Sequence, residues 1–107
     1  MKLAAFEEIV LLVVGSLDDQ AYGVAIKETL SEKMNRNPSI GALHAALYRL
    51  ESKGYVTSRE GGATAERGGR RKKFYKITAF GIRVLKEVHQ LRIGLAKDVP
   101  GLKLSLK

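Results

Sequence analysis

Residues Ile9 to Val14 (IVLLVV) are six apolar side chains in a row, and they set the hardest constraint on this chain. They sit in a run of helix formers from about Lys2 to Leu17, where Leu3, Phe6, Ile9/Val10 and Val13 recur at helical spacing and Leu11, Leu12 and Val14 fill the other faces. A helix apolar nearly all round must be covered on more than one side. The chain has 107 residues, enough for one small domain, so a second subunit is the expected source of part of that cover. The run lies behind Glu7 and Glu8, stops at Gly15 and is far shorter than the ~20 residues of a membrane span. It therefore reads as a buried helix, and no secretory signal is visible.

The pattern then breaks and resumes at short intervals. Gly15 to Gln20 reads as a turn, and roughly Ala21 to Met34 as a second helix with Val24, Ile26, Leu30 and Met34 at its apolar positions. Pro38 biases Asn37 away from helix, and Ser39 is placed to cap a third helix, about Ile40 to Lys53. In that helix Ile40, Leu43, Leu47 and Leu50 form the expected buried stripe, with Ala42, His44, Ala45, Tyr48, Arg49 and Ser52 on the other face. Gly54 is expected to end it as a C′ glycine. Tyr55 to Glu60 and Lys72 to Thr78 alternate as strands on either side of a glycine-rich connector, residues 61–69, which makes a β-hairpin with Tyr75 and Ile77 toward the core.

Thr78 is placed to cap a last helix, about Ala79 to Lys97. Its stripe of Val84, Val88, Leu91 and Leu95 is widened by Ile82, Leu85 and Ile93, more apolar surface than one hairpin can cover. Residues 98–107 read as a loose tail. The order is helix, helix, helix, hairpin, helix. It predicts a mainly α fold with a small β-hairpin: a winged helix-turn-helix with a C-terminal dimerisation helix, in a single domain over residues 1–107. The expected dimer seam comprises Phe6, Val10 and Val13 with Val84, Val88, Leu91 and Leu95.

Charge is distributed unevenly along this order. The net charge is +8, yet residues 1–52 carry five basic and seven acidic groups, net −2, while residues 53–107 carry net +10. The densest run, Arg70 to Lys73, falls on the lip of the second strand. A one-sided positive field attracts a polyanion. In a winged helix-turn-helix the third helix enters the major groove, and a cationic hairpin beside it can neutralise several phosphates at once. This predicts a DNA interface of Ser39, Ala42, His44, Ala45, Tyr48, Arg49 and Lys53 with Arg70, Arg71, Lys72 and Lys73. For several of these a second role is open. Ser39 can be a helix cap alone, Arg49 can pair with Glu51 or another carboxylate, Lys53 can balance the helix C-terminus, and Tyr48 can pack under the wing.

Three segments resemble the PadR family of bacterial transcriptional regulators: "AYGVAI", "PSIGALHAALYRLESKGYV" and "RRKKFYKITAFGIRVL". The resemblance runs from about Phe6 to Leu85. It implies a cytoplasmic, homodimeric winged-helix repressor, with a small apolar or aromatic effector for many members. Ala42, His44 and Ala45 stand where Thr, Tyr and Pro are common in such sequences, so the reading face of the third helix is this chain's own.

Other functions find little to rest on. There are no cysteines, which excludes disulfides and thiolate chemistry. The two histidines, His44 and His89, fall on different helices, and no carboxylate pair, metal-ligand spacing or phosphate-cradling loop is present. No enzyme activity, metal or cofactor is expected. The basic run is on a hairpin and not on an amphipathic helix, which argues against a membrane surface. The alternative is a winged-helix module that docks its basic tip on an acidic protein.

Overall fold

The apolar run at residues 9–14 is the centre around which the other elements are laid. The computed structural model describes residues 3–61 and 72–102. In it α1 (Ala5–Leu17) packs against α2 (Gly23–Met34), α3 (Ile40–Ser52), α4 (Ala79–Ala96) and the second strand of a hairpin, β1 (Val56–Glu60) and β2 (Lys73–Ile77). One turn of 3-10 helix, Asp18–Gln20, joins α1 to α2. Val10, Leu11, Val13 and Val14 are buried against a core that includes Ile26, Leu30, Leu43, Leu47, Leu50 and Val56. The chain thus covers most of α1 by itself, and of the six-residue run Leu12 alone is exposed.

Local chemistry sets each corner. Asn35 ends α2 in the left-handed region (φ 54°), and Asn37 is tied back to α2 by Lys27 Nζ at 2.6 Å and Ser31 Oγ at 3.1 Å. Ser39 caps α3, its Oγ accepting the Ala42 N–H at 3.0 Å. At the other end Gly54 takes φ 82°, with Tyr55 N–H donating to Leu50 C=O at 2.9 Å and Gly54 N–H to Glu51 C=O at 3.0 Å. This is the Schellman arrangement, and the positive φ is the reason a glycine stands there.

The hairpin is antiparallel, with Val56 opposite Ile77 and Glu60 opposite Lys73. Its far edge is also paired. Tyr22 forms an isolated bridge with Phe74, and Tyr75 N–H donates to Ala21 C=O at 2.8 Å. Two residues before α2 thus extend the sheet, which residue alternation could not reveal in so short a segment. Tyr75 and Ile77 are half-buried against the core, while Phe74 on the opposite face meets Tyr22 edge-on, ring centres 5.4 Å apart.

One expectation changes. Ile40 and Val24, assigned to apolar faces, are 52% and 63% exposed, because α3 turns its first residue away from the core and α2 buries only Ile26 and Leu30 fully. On α4 only the N-terminal half is covered: Val84 and Val88 are buried, Leu91 and Leu95 exposed. The connector expected over residues 61–69 lies outside the described residues except for Gly61, as do residues 103–107 of the tail.

Thr78 fixes where α4 begins. Its Oγ1 accepts the Gly81 N–H at 2.9 Å and lies 2.8 Å from Gly54 C=O and 3.1 Å from Tyr55 C=O. α4 approaches the wing root so closely that a Cβ at Gly81 would overlap the Tyr55 carbonyl and come within 2.9 Å of Ile77 Cγ1. Ala is ordinarily favoured over Gly inside a helix by about 1 kcal/mol. Here overpacking reverses the sign, and Gly81→Ala is expected to destabilise the fold by about 1–3 kcal/mol, read as a lower midpoint in urea unfolding.

Candidate nucleic-acid interface

Tyr48 stands on the outer face of α3, 73% exposed, with His44 one turn before it, also exposed. Together with Leu47 and Glu51 of α3, Gly23 of α2, and Lys73 and Tyr75 of β2, they line a groove of about 550 Å³. Helix and wing therefore share one concave surface. Ser39 and Ala42 are exposed at the N-terminal end of α3, and Ala45 is half-buried.

Three cations at the connector end of the strands lie over aromatic rings. Lys72 Nζ is 4.3 Å from the Tyr22 ring centre, the Arg59 guanidinium 4.8 Å from that of Phe74, and Lys73 Nζ 5.7 Å from that of Tyr75. Each ring attracts the cation through its quadrupole and leaves the charge intact. Arg59 and Tyr22 were not among the expected site residues. The signal for Arg59 is the strand register, which sets it opposite Phe74. Arg70 and Arg71 lie outside the described residues.

Other cations are held by carboxylates. Arg49 Nε donates to Glu7 Oε2 at 2.5 Å and Lys53 Nζ to Glu7 Oε1 at 2.7 Å. Glu7 is 3% exposed and also accepts the Ala4 N–H at 3.3 Å. Burial pushes its carboxyl upward, but the hydrogen bonds from Lys53, Arg49 and Ala4, with the Lys53 charge, outweigh that and hold it below the ordinary glutamate range. Arg49 is thus engaged by a carboxylate on α1 and not by Glu51, which accepts a hydrogen bond from Ser58 Oγ at 2.7 Å. The sequence carried a signal for Glu7: it shares a helical face with Val10, Leu11 and Val14, and a charge inside an apolar stripe needs buried partners. On the outer side of the wing Lys76 lies 3.4 Å from Asp18 and 3.2 Å from Asp19; the hydrogen bond and charge of Asp19, then those of Asp18, raise its pKa.

The residues expected at a dimer seam divide into two groups. Val10, Val13, Val84 and Val88 are already covered by the chain itself, and Phe6 is half-buried against the same core. Leu91 and Leu95 are exposed, as are Leu12 and Ile82, and Leu12, Ile82 and Leu85 line a shallow hollow between α1 and α4. Beside it Arg92 makes a two-pronged contact with Glu8, Nη2 to Oε1 at 2.7 Å and Nε to Oε2 at 3.2 Å. Among the described residues no group of His, Asp and Glu could hold a metal ion, and no helix is long and apolar enough to cross a membrane.

The Glu7 cluster makes stability depend on pH with a definite sign. Its folded-state pKa is depressed, so its contribution is present above the unfolded value of about 4.3 and is lost as the pH falls through the lower folded value. Glu7→Gln is expected to cost about 1–3 kcal/mol at neutral pH, and the difference from wild type should narrow as the pH is lowered from 5 toward 3. Urea unfolding of both proteins across that range measures it.

Comparison with known proteins agrees with this architecture. Residues 10–87 match the model of the transcriptional regulator PadR-like family. Among solved structures, a PadR family transcriptional regulator from Eggerthella lenta is 31% identical, covering 87% of this chain and 82% of that one, with a TM-score of 0.62. A PadR family transcription regulator from Clostridium difficile is 27% identical over 87% of this chain and 93% of that one, with a TM-score of 0.68. A PadR-like transcriptional regulator from Bacillus cereus, at 21% identity, shares the fold with a TM-score of 0.71 over 94% of this chain and 93% of that one. No curated protein matches the sequence. The matched region spans most of α1, α2, α3, the wing and the first half of α4, and the chain belongs to the PadR-like family of transcriptional regulators, a family of regulators and not of enzymes.

Proposed function

We propose that this chain is a homodimeric DNA-binding repressor that acts in the cytoplasm. The observation that carries the reading is the groove in which His44 and Tyr48 of α3 face Lys73 of β2. A helix seated in the major groove brings the wing against the flanking backbone. There Lys72 and Lys73, together with Arg59, Arg70 and Arg71, supply the charge that displaces counterions. Ser39 caps α3 and stands at a helix N-terminus, a position from which a phosphate can be met.

Dimerisation is typical of the family, and the exposed Leu12, Ile82, Leu91 and Leu95 supply an apolar surface for it on α1 and α4. The same surface, with the hollow at Leu12, Ile82 and Leu85, is where a small apolar or aromatic effector would enter and shift the spacing of the two reading heads.

Two measurements test this. Binding sites are selected from fragmented genomic DNA with the purified protein, and the best fragment is titrated against a scrambled one across salt. A two-fold symmetric site with half-sites about one helical turn apart is expected. The combined variant R70A/R71A/K72A/K73A should bind it more weakly, with a log–log salt slope shallower by about 2 if two of the four meet phosphate. Equal affinity and an unchanged slope exclude the wing from the interface, and binding that requires an acidic protein in place of duplex DNA overturns the reading. Independently, L91S/L95S should shift the protein from dimer to monomer in sedimentation at micromolar concentration.

A further inference from the structure

The first two turns of α3, Ile40 to Leu47, hold one side chain able to hydrogen-bond a base, His44. The others are Ile40, Gly41, Ala42, Leu43, Ala45, Ala46 and Leu47, of which Leu43, Ala46 and Leu47 are buried. A reading helix in a major groove uses its N-terminal residues on base edges. Guanine is ordinarily picked out by Arg or Lys and adenine by Asn or Gln, each through paired hydrogen bonds. This stretch contains none of those residues. The nearest Arg on the helix, Arg49, is bonded to Glu7.

What the stretch presents instead is apolar. Ile40 is 52% exposed and Val24 of α2 is 63% exposed, and the two line one open hollow with Gly23 and His44, bordered on its α2 side by Lys27, Glu28 and Ser31. Gly23 and His44 also line the groove that reaches Lys73, so the apolar patch is continuous with the proposed DNA surface. Lys27, which borders the patch, is bonded to Asn37. Exposed Ile and Val side by side on a face meant for a polyanion have one apolar counterpart in a major groove, the 5-methyl group of thymine.

Resting on the DNA-binding reading, we infer that Ile40 is a specificity determinant that selects thymine by its 5-methyl group, with Val24 extending the apolar hollow behind it and Ala42 and Ala45 small enough to let the helix lie close to the base edges. Recognition at these positions is by burial of a methyl group, and not by a hydrogen-bond code.

The test uses the full chain and the strongest duplex selected from genomic DNA, resynthesised with deoxyuridine in place of thymidine one position at a time. Deoxyuridine pairs identically and lacks only the methyl. At one or two positions in each half-site the affinity is expected to fall about fourfold, the size of one buried methyl group. Ile40→Ser, a change at an exposed position, should abolish that sensitivity at one of them while leaving the salt slope unchanged. If the unmodified duplex is preferred over a scrambled one but every deoxyuridine duplex binds as tightly as the parent, the methyl inference is wrong and the DNA reading stands. If Ile40→Ser keeps the full sensitivity at every position, Ile40 is not the reader and the assignment falls. If no duplex is preferred over its scrambled form, the DNA reading falls, and this inference with it.

Discussion

Burial of α1 is the constraint on which everything else depends. Val10, Leu11 and Val14 are inaccessible to solvent because α2, α3, α4 and β2 all close on the same helix. An element apolar on nearly every side cannot be left at a surface, so the remaining segments are arranged by what they can place against it. The exception proves informative: Glu7 lies on the same buried face, and its carboxylate would be costly there without the two cations that α3 delivers. Charge and apolar packing thus bind α1 to α3 together, and the helix that presents the outer face of the site is anchored through its own Arg49 and Lys53.

This sorts six of the described basic residues around the site into two populations. Arg49, Lys53 and Lys76 are bonded to Glu7, Asp18 and Asp19, and much of their charge is answered within the chain. Arg59, Lys72 and Lys73 lie over rings, which orient a cation without neutralising it. A net charge counted from the sequence cannot make this distinction. The positive field that a partner meets comes from the wing more than from the helix beside it.

The order of the helices and strands was legible because their signals are local, although the pattern places the start of the second helix two residues early, at Ala21. Ser39 and Thr78 as caps, Gly54 as a left-handed stop, and alternation at Tyr75 and Ile77 act within a few residues, and all are realised. What could not be read is what depends on partners distant in sequence. The Glu7 cluster joins residues more than forty positions apart, and the pairing of Tyr22 with Phe74 joins two segments that give no sign of each other. Periodicity also cannot say how far a stripe is covered. The stripe on α4 is continuous in sequence, yet among the described residues it is fully buried only as far as Val88, and Ile40 fits a buried pattern at a helix end that projects past the core.

The hydroxyl of Thr78 touches the last turn beyond α3, the root of β1 and the first turn of α4 at once. With Gly81 pressed on the Tyr55 carbonyl, this leaves no slack at the joint. The hairpin is an arm fixed at the shoulder. Its base cannot swing without carrying α3 and α4 along, so the separation between α3 and the wing is a ruler built into the fold. On the DNA-binding reading, a duplex has to fit that spacing as it stands.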